Sequence, residues 1–85
     1  MTGMNTAVLE ILNLDNTKVG DAGMAIFKDC KNLLELHLWN TKLSDTGLAN
    51  FKDCKNLTVL DLTNTKVADA GIVYFKDCKD LTYFH

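Results

Sequence analysis

Three side chains suited to acid–base chemistry recur at one position of a repeating sequence: His37, Asp61 and His85, spaced 24 residues apart. If adjacent strands carry them, neighbouring side chains approach to about 5 Å, and an imidazole beside a carboxylate can act as a general base. No serine or cysteine nucleophile shares that face, so we expect no catalytic residues and no enzyme. We prefer a cross-strand ion pair between histidine and aspartate within this row, with partner binding that depends on pH between about 5 and 8.

Metal binding by the same row is also disfavoured. His37 and His85 would lie on either side of Asp61 without a fourth ligand, whereas a structural zinc site needs four. The sequence therefore predicts no metal site and no cofactor.

The three cysteines recur with the same period, at Cys30, Cys54 and Cys78. An odd number at one repeated position is typical of packing rather than of a disulfide framework. Their spacing across repeats should exceed the limit of about 7 Å between Cα atoms that a disulfide tolerates. We expect buried, inert thiols and a reducing, cytoplasmic setting.

These residues are positioned by a 24-residue repeat. Residues 32–55 align without a gap on residues 56–79, with 14 of 24 positions identical. Residues 8–31 share the frame, and residues 80–85 begin a fourth copy. A period of this length is typical of repeat proteins in which each unit packs only against its neighbours. We expect one domain, 1–85, with units 8–31, 32–55 and 56–79, a partial unit 80–85 and no clear caps.

Each unit reads as a strand, a turn, a short helix and a second turn. Leu36 and Leu38 alternate with polar residues as in a strand. Asp45 is expected to cap the helix at its N-terminus, and Gly47 suggests close approach of a neighbouring repeat. A stripe with three-residue spacing marks the buried helix face: Leu48, Phe51 and Cys54.

The units resemble leucine-rich repeats of the cysteine-containing subclass, which read C-x-x-L-x-x-L-x-L followed by a hydrophobic-x-D-x-G-L helix start. The central unit matches at Cys30, Leu33, Leu36, Leu38, Leu43, Asp45, Gly47, Leu48 and Cys54. The resemblance implies an α/β right-handed solenoid, with a parallel β-sheet on the concave face and short helices on the convex face. The sequence departs from the family pattern at Thr17, Thr41 and Thr65, where an inward Asn or Cys is usual. We expect the hydroxyls of these threonines to accept hydrogen bonds from turn amides.

Partners of this family usually meet the concave strand face, which implies protein–protein recognition here. The strand positions that face away from the core, and those just after them, vary between units while the core positions do not. The predicted partner-binding residues are Ile11, Asn13, Asp15, Glu35, His37, Trp39, Val59, Asp61, Thr63 and Tyr83. Trp39 is of the residue type most enriched at binding hot spots; the alternative is that it only shields the sheet.

The open C-terminal strand predicts self-association. Phe84 aligns with Leu36 and Leu60, so it would lie on an open core layer beside an unpaired strand edge, which is a template for another chain. We expect contacts through Leu81, Tyr83 and Phe84 that give a homo-oligomer, a dimer in preference to an end-to-end stack. The alternative is a designed or excised minimal unit whose role is structural, with no external ligand.

Composition argues against other partner classes. The net charge is −2 and arginine is absent, so the basic stripe of a nucleic-acid-binding protein is missing. The lysines occupy three repeat positions, partly neutralised by aspartates: Lys18, Lys42, Lys66; Lys28, Lys52, Lys76; Lys31, Lys55, Lys79. No segment approaches the roughly 18 apolar residues of a membrane span, and the N-terminus lacks signal-peptide features. We expect a protein partner, not nucleic acid or membrane.

Overall fold

Four short strands form one parallel sheet. The structure is a computed structural model that describes residues 8–84, with Tyr83 and Phe84 described by their backbone only. The strands are β1 (Ile11–Asn13), β2 (Glu35–His37), β3 (Val59–Asp61) and β4 (Tyr83–Phe84), in sheet order β1-β2-β3-β4. Each residue pairs with the residue 24 positions later, as in Leu12 with Leu36 and Leu36 with Leu60. The predicted strands and their register are confirmed.

The helical segments are short and largely of the 3₁₀ type. A 3₁₀ helix spans Asp21–Phe27, α1 (Asp45–Leu48) continues as a 3₁₀ turn at Ala49–Phe51, and α2 (Asp69–Ile72) continues as one at Val73–Phe75. A 3₁₀ helix has three residues per turn, so residues spaced by three lie on one face. The three-residue stripe of the sequence therefore matches a tighter winding than that of an α-helix.

The core lies between the sheet and the helical segments. Leu36, Leu48 and Phe51 are fully buried in it, and the rings of Phe27 and Phe51 stack with their centroids 6.1 Å apart. The other buried apolar residues are Leu12, Met24, Cys30, Leu33, Leu38, Leu43, Cys54, Leu57, Leu60, Leu62, Phe75 and Cys78. The strand residue at the centre of each triplet thus points into the core, and its two neighbours point away from it.

An asparagine in a left-handed conformation ends the turn after each of the first three strands. Asn16, Asn40 and Asn64 have φ values of 57°, 55° and 58°, a conformation that asparagine tolerates better than most residues. Their side chains form a ladder in which the Asn40 amide donates to Asn16 Oδ1 at 2.6 Å and the Asn64 amide to Asn40 Oδ1 at 2.5 Å. The ladder fixes the turns of successive units in register.

The turn threonines act mainly as donors, which differs from the prediction. The hydroxyls of Thr17, Thr41 and Thr65 donate to the carbonyl three residues earlier, at 2.7, 2.9 and 2.7 Å. Among the described residues, only Thr65 also accepts a turn amide, that of Val67 at 3.3 Å. A carbonyl three residues back is within reach of a short hydroxyl side chain, so each of these hydroxyls donates locally.

The predicted N-cap at Asp45 is wrong. Asp45 is the first residue of α1, and the capping position is held by Ser44, whose side chain makes no capping bond. The Asp45 carboxylate instead reaches the next unit, where Oδ1 accepts the Ala68 backbone N–H at 2.8 Å. Once Asp45 has entered the helix its side chain no longer faces its own free amides, and the neighbouring unit supplies the donor.

Close approach at the helix glycines is confirmed for two of the three units. A Cβ atom on Gly47 would lie 2.6 Å from Leu43 Cδ1 and would collide with Asp21 of the preceding unit; one on Gly71 would collide with Asp45. A Cβ atom on Gly23 would meet nothing within 4 Å. The missing side chain is therefore required only where a preceding unit packs on the glycine.

Within residues 8–84, no helix has the length and apolar character needed to cross a membrane.

Candidate functional site

The strands bring the predicted partner-binding residues into aligned rows. The first row runs across the sheet through Ile11, Glu35, Val59 and the backbone of Tyr83, each paired with the next. The second row consists of Asn13, His37 and Asp61. We call the surface formed by these six described side chains the outer sheet face. Each is exposed or half-buried, because the residue between them on each strand, such as Leu36, takes the core position.

The third predicted row lies on the turns just after the strands. Asp15 Oδ1 accepts the Trp39 backbone N–H at 2.7 Å, which joins the first two of these turns. The Trp39 side chain is 41% exposed and Thr63 is exposed. A backbone held from both sides, by Asp15 and by the asparagine ladder, presents the indole from a fixed support rather than from a mobile loop.

The predicted ion pair between His37 and Asp61 is wrong. His37 Nε2 lies 2.9 Å from Glu35 Oε1, on the same strand and the same face. Asp61 turns along its own strand, where Oδ1 accepts the Thr63 backbone N–H at 3.0 Å. Residues two apart on a strand share a face, so the Glu35 carboxylate lies within reach of the His37 imidazole and pairs with it. His85, the third member of the predicted row, lies outside the described residues.

The outer sheet face combines apolar and charged groups without enclosing a volume. Ile11 is 58% exposed and Val59 is half-buried, on either side of the Glu35–His37 pair. No cavity opens in the part of the chain that the structure describes. In residues 8–84, no group of histidine, cysteine or acidic side chains is arranged to hold a metal ion. An open surface of this kind suits contact with another macromolecule.

The cysteines are buried on the side of the core away from this face, and within residues 8–84 none of the three forms a disulfide. Cys54 Sγ–H donates to the Cys30 carbonyl at 2.7 Å, and Cys78 Sγ–H to the Cys54 carbonyl at 3.2 Å. Burial raises the pKa of Cys54 to about 12 and also raises the pKa of Cys78. The expected role of the cysteines in packing is confirmed.

The aspartate–glycine contact between units was missed by sequence reasoning. Asp21 accepts the Ser44 backbone N–H at 2.8 Å and, with its other oxygen, the Ser44 hydroxyl. These bonds to Ser44 outweigh partial burial and lower the pKa of the Asp21 carboxyl. The signal was present in the sequence as an aspartate followed 26 residues later by a glycine, a spacing that local helix-capping rules do not cover.

The residues predicted for self-association are only partly described. Leu81 is half-buried and packs against the core cluster. The backbones of Tyr83 and Phe84 pair with Val59 and Leu60, while their side chains lie outside the described residues.

Comparison with protein-family models matches residues 7–67 of the 85 to the leucine-rich repeat family. Neither curated proteins nor solved structures gave a significant match. The matched span takes in β1, β2 and β3, the asparagine ladder and the contact of Asp21 with Gly47. Because the match covers more than half of the chain, the protein belongs to the leucine-rich repeat family.

Proposed function

We propose that the protein binds another protein through the outer sheet face and the adjoining Trp39. Domains of this family are in general protein–protein interaction modules. In the proposal the chain is a short right-handed solenoid and the outer sheet face is its concave side. The observation that carries the proposal is the indole of Trp39, 41% exposed on a turn that two sets of hydrogen bonds hold in place. Interface hot spots are enriched in tryptophan on rigid supports of this kind.

The setting and partner class follow from the same features. Three buried cysteines, none of them in a disulfide within the described residues, favour a reducing compartment such as the cytoplasm. A net charge of −2 without arginine favours a protein partner over nucleic acid, and the open face without a cavity favours recognition over catalysis.

The test compares variants of two surfaces. Trp39→Ala combined with Glu35→Ala should remove a bound partner, identified by affinity capture and measured by calorimetry. Val73→Ala, which trims an exposed side chain on the helical side, is the matched control and should retain it. If the double variant still binds the partner and Val73→Ala does not, the binding site lies on the helical surface instead.

Self-association through the ends of the array is a second candidate function. Half-buried Leu81 at the C-terminal end of the core, with β4 as the last described strand, supports it, and Leu81, Tyr83 and Phe84 are the proposed contacts. The molar mass in solution with reductant present, measured by light scattering, tests it. A mass above that of the monomer that falls when Phe84 is changed to Ser supports these contacts, and a monomer at every concentration refutes them.

A further inference from the structure

Successive units are joined by a contact that occurs twice in the described chain. Asp21 accepts the Ser44 backbone N–H, and Asp45 accepts the Ala68 backbone N–H, both at 2.8 Å. Three residues after each donor, a glycine packs directly against the same carboxylate, Gly47 in one case and Gly71 in the other. The contact therefore has two halves: a carboxylate on one unit, and an amide with a glycine on the next.

Within the described residues each half also occurs once without its counterpart, the carboxylate in the third unit and the amide with its glycine in the first. Asp69 is the equivalent of Asp21 and Asp45; it is exposed, and its side-chain carboxylate has no hydrogen-bond partner among residues 8–84. At the other end, a Cβ atom on Gly20 or Gly23 would meet nothing within 4 Å. Gly20 aligns with the donors Ser44 and Ala68, and Gly23 with the packed glycines.

The asparagine ladder has the same polarity. Each amide donates toward the preceding unit, so Asn40 bonds to Asn16 and Asn64 bonds to Asn40. Within the described part of the chain, this leaves an amide donor on Asn16 at the first unit and the acceptor Oδ1 on Asn64 at the third. Both kinds of inter-unit contact thus end in complementary halves at the two ends.

We propose that a second copy of the chain docks head to tail on the Asp69 end, with its Gly20 amide bonded to the Asp69 carboxylate and its Gly23 packed against it. In the same contact Asn64 Oδ1 accepts from the Asn16 amide of the incoming copy. The proposal rests on the self-association proposed above, but it places the contact at Asp69 and Asn64 of one copy and at Gly20, Gly23 and Asn16 of the other, in place of Tyr83 and Phe84. Such a contact joins two different surfaces, so it can repeat indefinitely instead of closing as a two-fold dimer.

The docked copy competes with β4. Asn16 and Gly20 follow β1 closely, so seating them beside Asn64 and Asp69 brings Ile11 and Leu12 to the positions that Tyr83 and Phe84 hold on β3. The β4 segment pairs with β3 at two residues, and the Thr82 backbone N–H and hydroxyl donate to the Thr58 carbonyl at 2.8 and 3.1 Å. Because β4 belongs to the same chain it has the higher effective concentration, so it limits assembly to high protein concentration.

Two full-length variants each block one half of the contact. Gly23→Ala adds a methyl group that the isolated chain accommodates in open space but that would collide with Asp69 of a docked copy. Asp69→Ala removes the acceptor from the other end. Thr46→Ala and Asp77→Ala, exposed positions away from both ends of the contact, are the matched controls.

The decisive measurement is sedimentation of each variant alone and of the two mixed in equal amounts, at concentrations up to about 1 mM, where weak contacts become populated. The parent chain and the controls should show a mass that keeps rising with concentration, and Gly23→Ala and Asp69→Ala alone should stay monomeric. Their mixture should give a species of twice the 9.5 kDa monomer mass and no larger, because only one productive junction is available. Phe84→Ser, which weakens β4, should shift assembly to lower concentration.

The results that would overturn the proposal differ from those that overturn self-association itself. If the parent chain assembles and both blocking variants assemble equally, self-association stands and the head-to-tail contact is wrong. Loss of assembly in Phe84→Ser would likewise assign the contact to Tyr83 and Phe84. If the parent chain and Phe84→Ser are both monomeric throughout, both proposals fail.

Discussion

At the residue scale, the side chain of Asp21 links two units. An aspartate at the start of a helix is usually expected to cap the amides of that helix instead. The Asp21 carboxylate accepts the Ser44 backbone N–H and hydroxyl. Hydrogen bonds to the charged form favour that form, and the pKa of the folded Asp21 carboxyl is lowered accordingly. The ionised form of this group therefore stabilises the folded chain.

Acidification should weaken the folded state through Asp21. A carboxyl with a lower pKa in the folded than in the unfolded chain contributes stability above its ordinary value of 3.8, and this contribution is lost as the pH falls through the folded value. Asp21→Asn should reduce the free energy of unfolding at pH 7 by roughly 1 kcal/mol and flatten its acid dependence. Urea unfolding from pH 6 down to pH 2 measures both effects. An unchanged pH profile in the variant would assign the acid sensitivity to other carboxylates.

Cys54 should resist alkylation in the native chain. Its thiol is buried and its pKa is raised to about 12, so the reactive thiolate is almost absent at pH 8. Iodoacetamide followed by mass spectrometry should show no labelling of Cys54 in native buffer and complete labelling in denaturant. Rapid native labelling would show that the unit opens locally on the time scale of the reaction.

At the element scale, one sequence motif has different packing in different units. Gly23, Gly47 and Gly71 occupy the same place in three helical segments. Only Gly47 and Gly71 lie against an aspartate of a preceding unit, whereas Gly23 faces open space.

Alanine at these positions should therefore have opposite effects on stability. Gly47→Ala forces its new methyl group into Asp21 and Leu43, and overpacking of this kind costs roughly 1–3 kcal/mol. Gly23→Ala meets no atom and replaces a poor helix former, so it should stabilise the chain by up to about 1 kcal/mol. Thermal or urea unfolding of the two variants checks the difference. Equal destabilisation would mean that Gly23 is also packed in the folded protein.

The repeat period predicted the elements well and the polar contacts between them less well. Strand positions, register and the buried stripe follow from apolar spacing, which the core enforces at Leu36 and Phe51. The partners of His37 and Asp45 do not follow from it. Several possible partners lie within reach of each of these side chains. Differences of about an ångström decide which partner is bonded, and the repeat spacing does not determine such differences.

At the scale of the whole molecule, neighbours on both sides determine how much a unit contributes. Leu36 is 0% exposed between two layers, while Leu12 in the first described strand is 8% exposed. In arrays of this type stability is approximately a sum of units and of the interfaces between neighbours. The central unit has two such interfaces.

Truncation of the core should therefore cost more in the centre than at the start. Leu36→Ala should lower the free energy of unfolding by roughly 3–5 kcal/mol, near the upper end of the range for buried leucines, and Leu12→Ala by about 2 kcal/mol. Urea unfolding followed by circular dichroism measures both, with the slope of the transition reporting whether the chain still unfolds as one unit. Equal costs would show that the first strand is covered as fully as the second.

The asparagine ladder also has a consequence for how such a chain can change its length. Asn40 and Asn64 each bond to the residue 24 positions earlier, and the strand pairs keep the same offset. Duplicating or deleting one whole unit in the gene would recreate every such bond at the new junction. An insertion of one residue would instead change the offset of the asparagine pair that spans it. The chain should therefore tolerate the gain or loss of whole units better than a single-residue insertion.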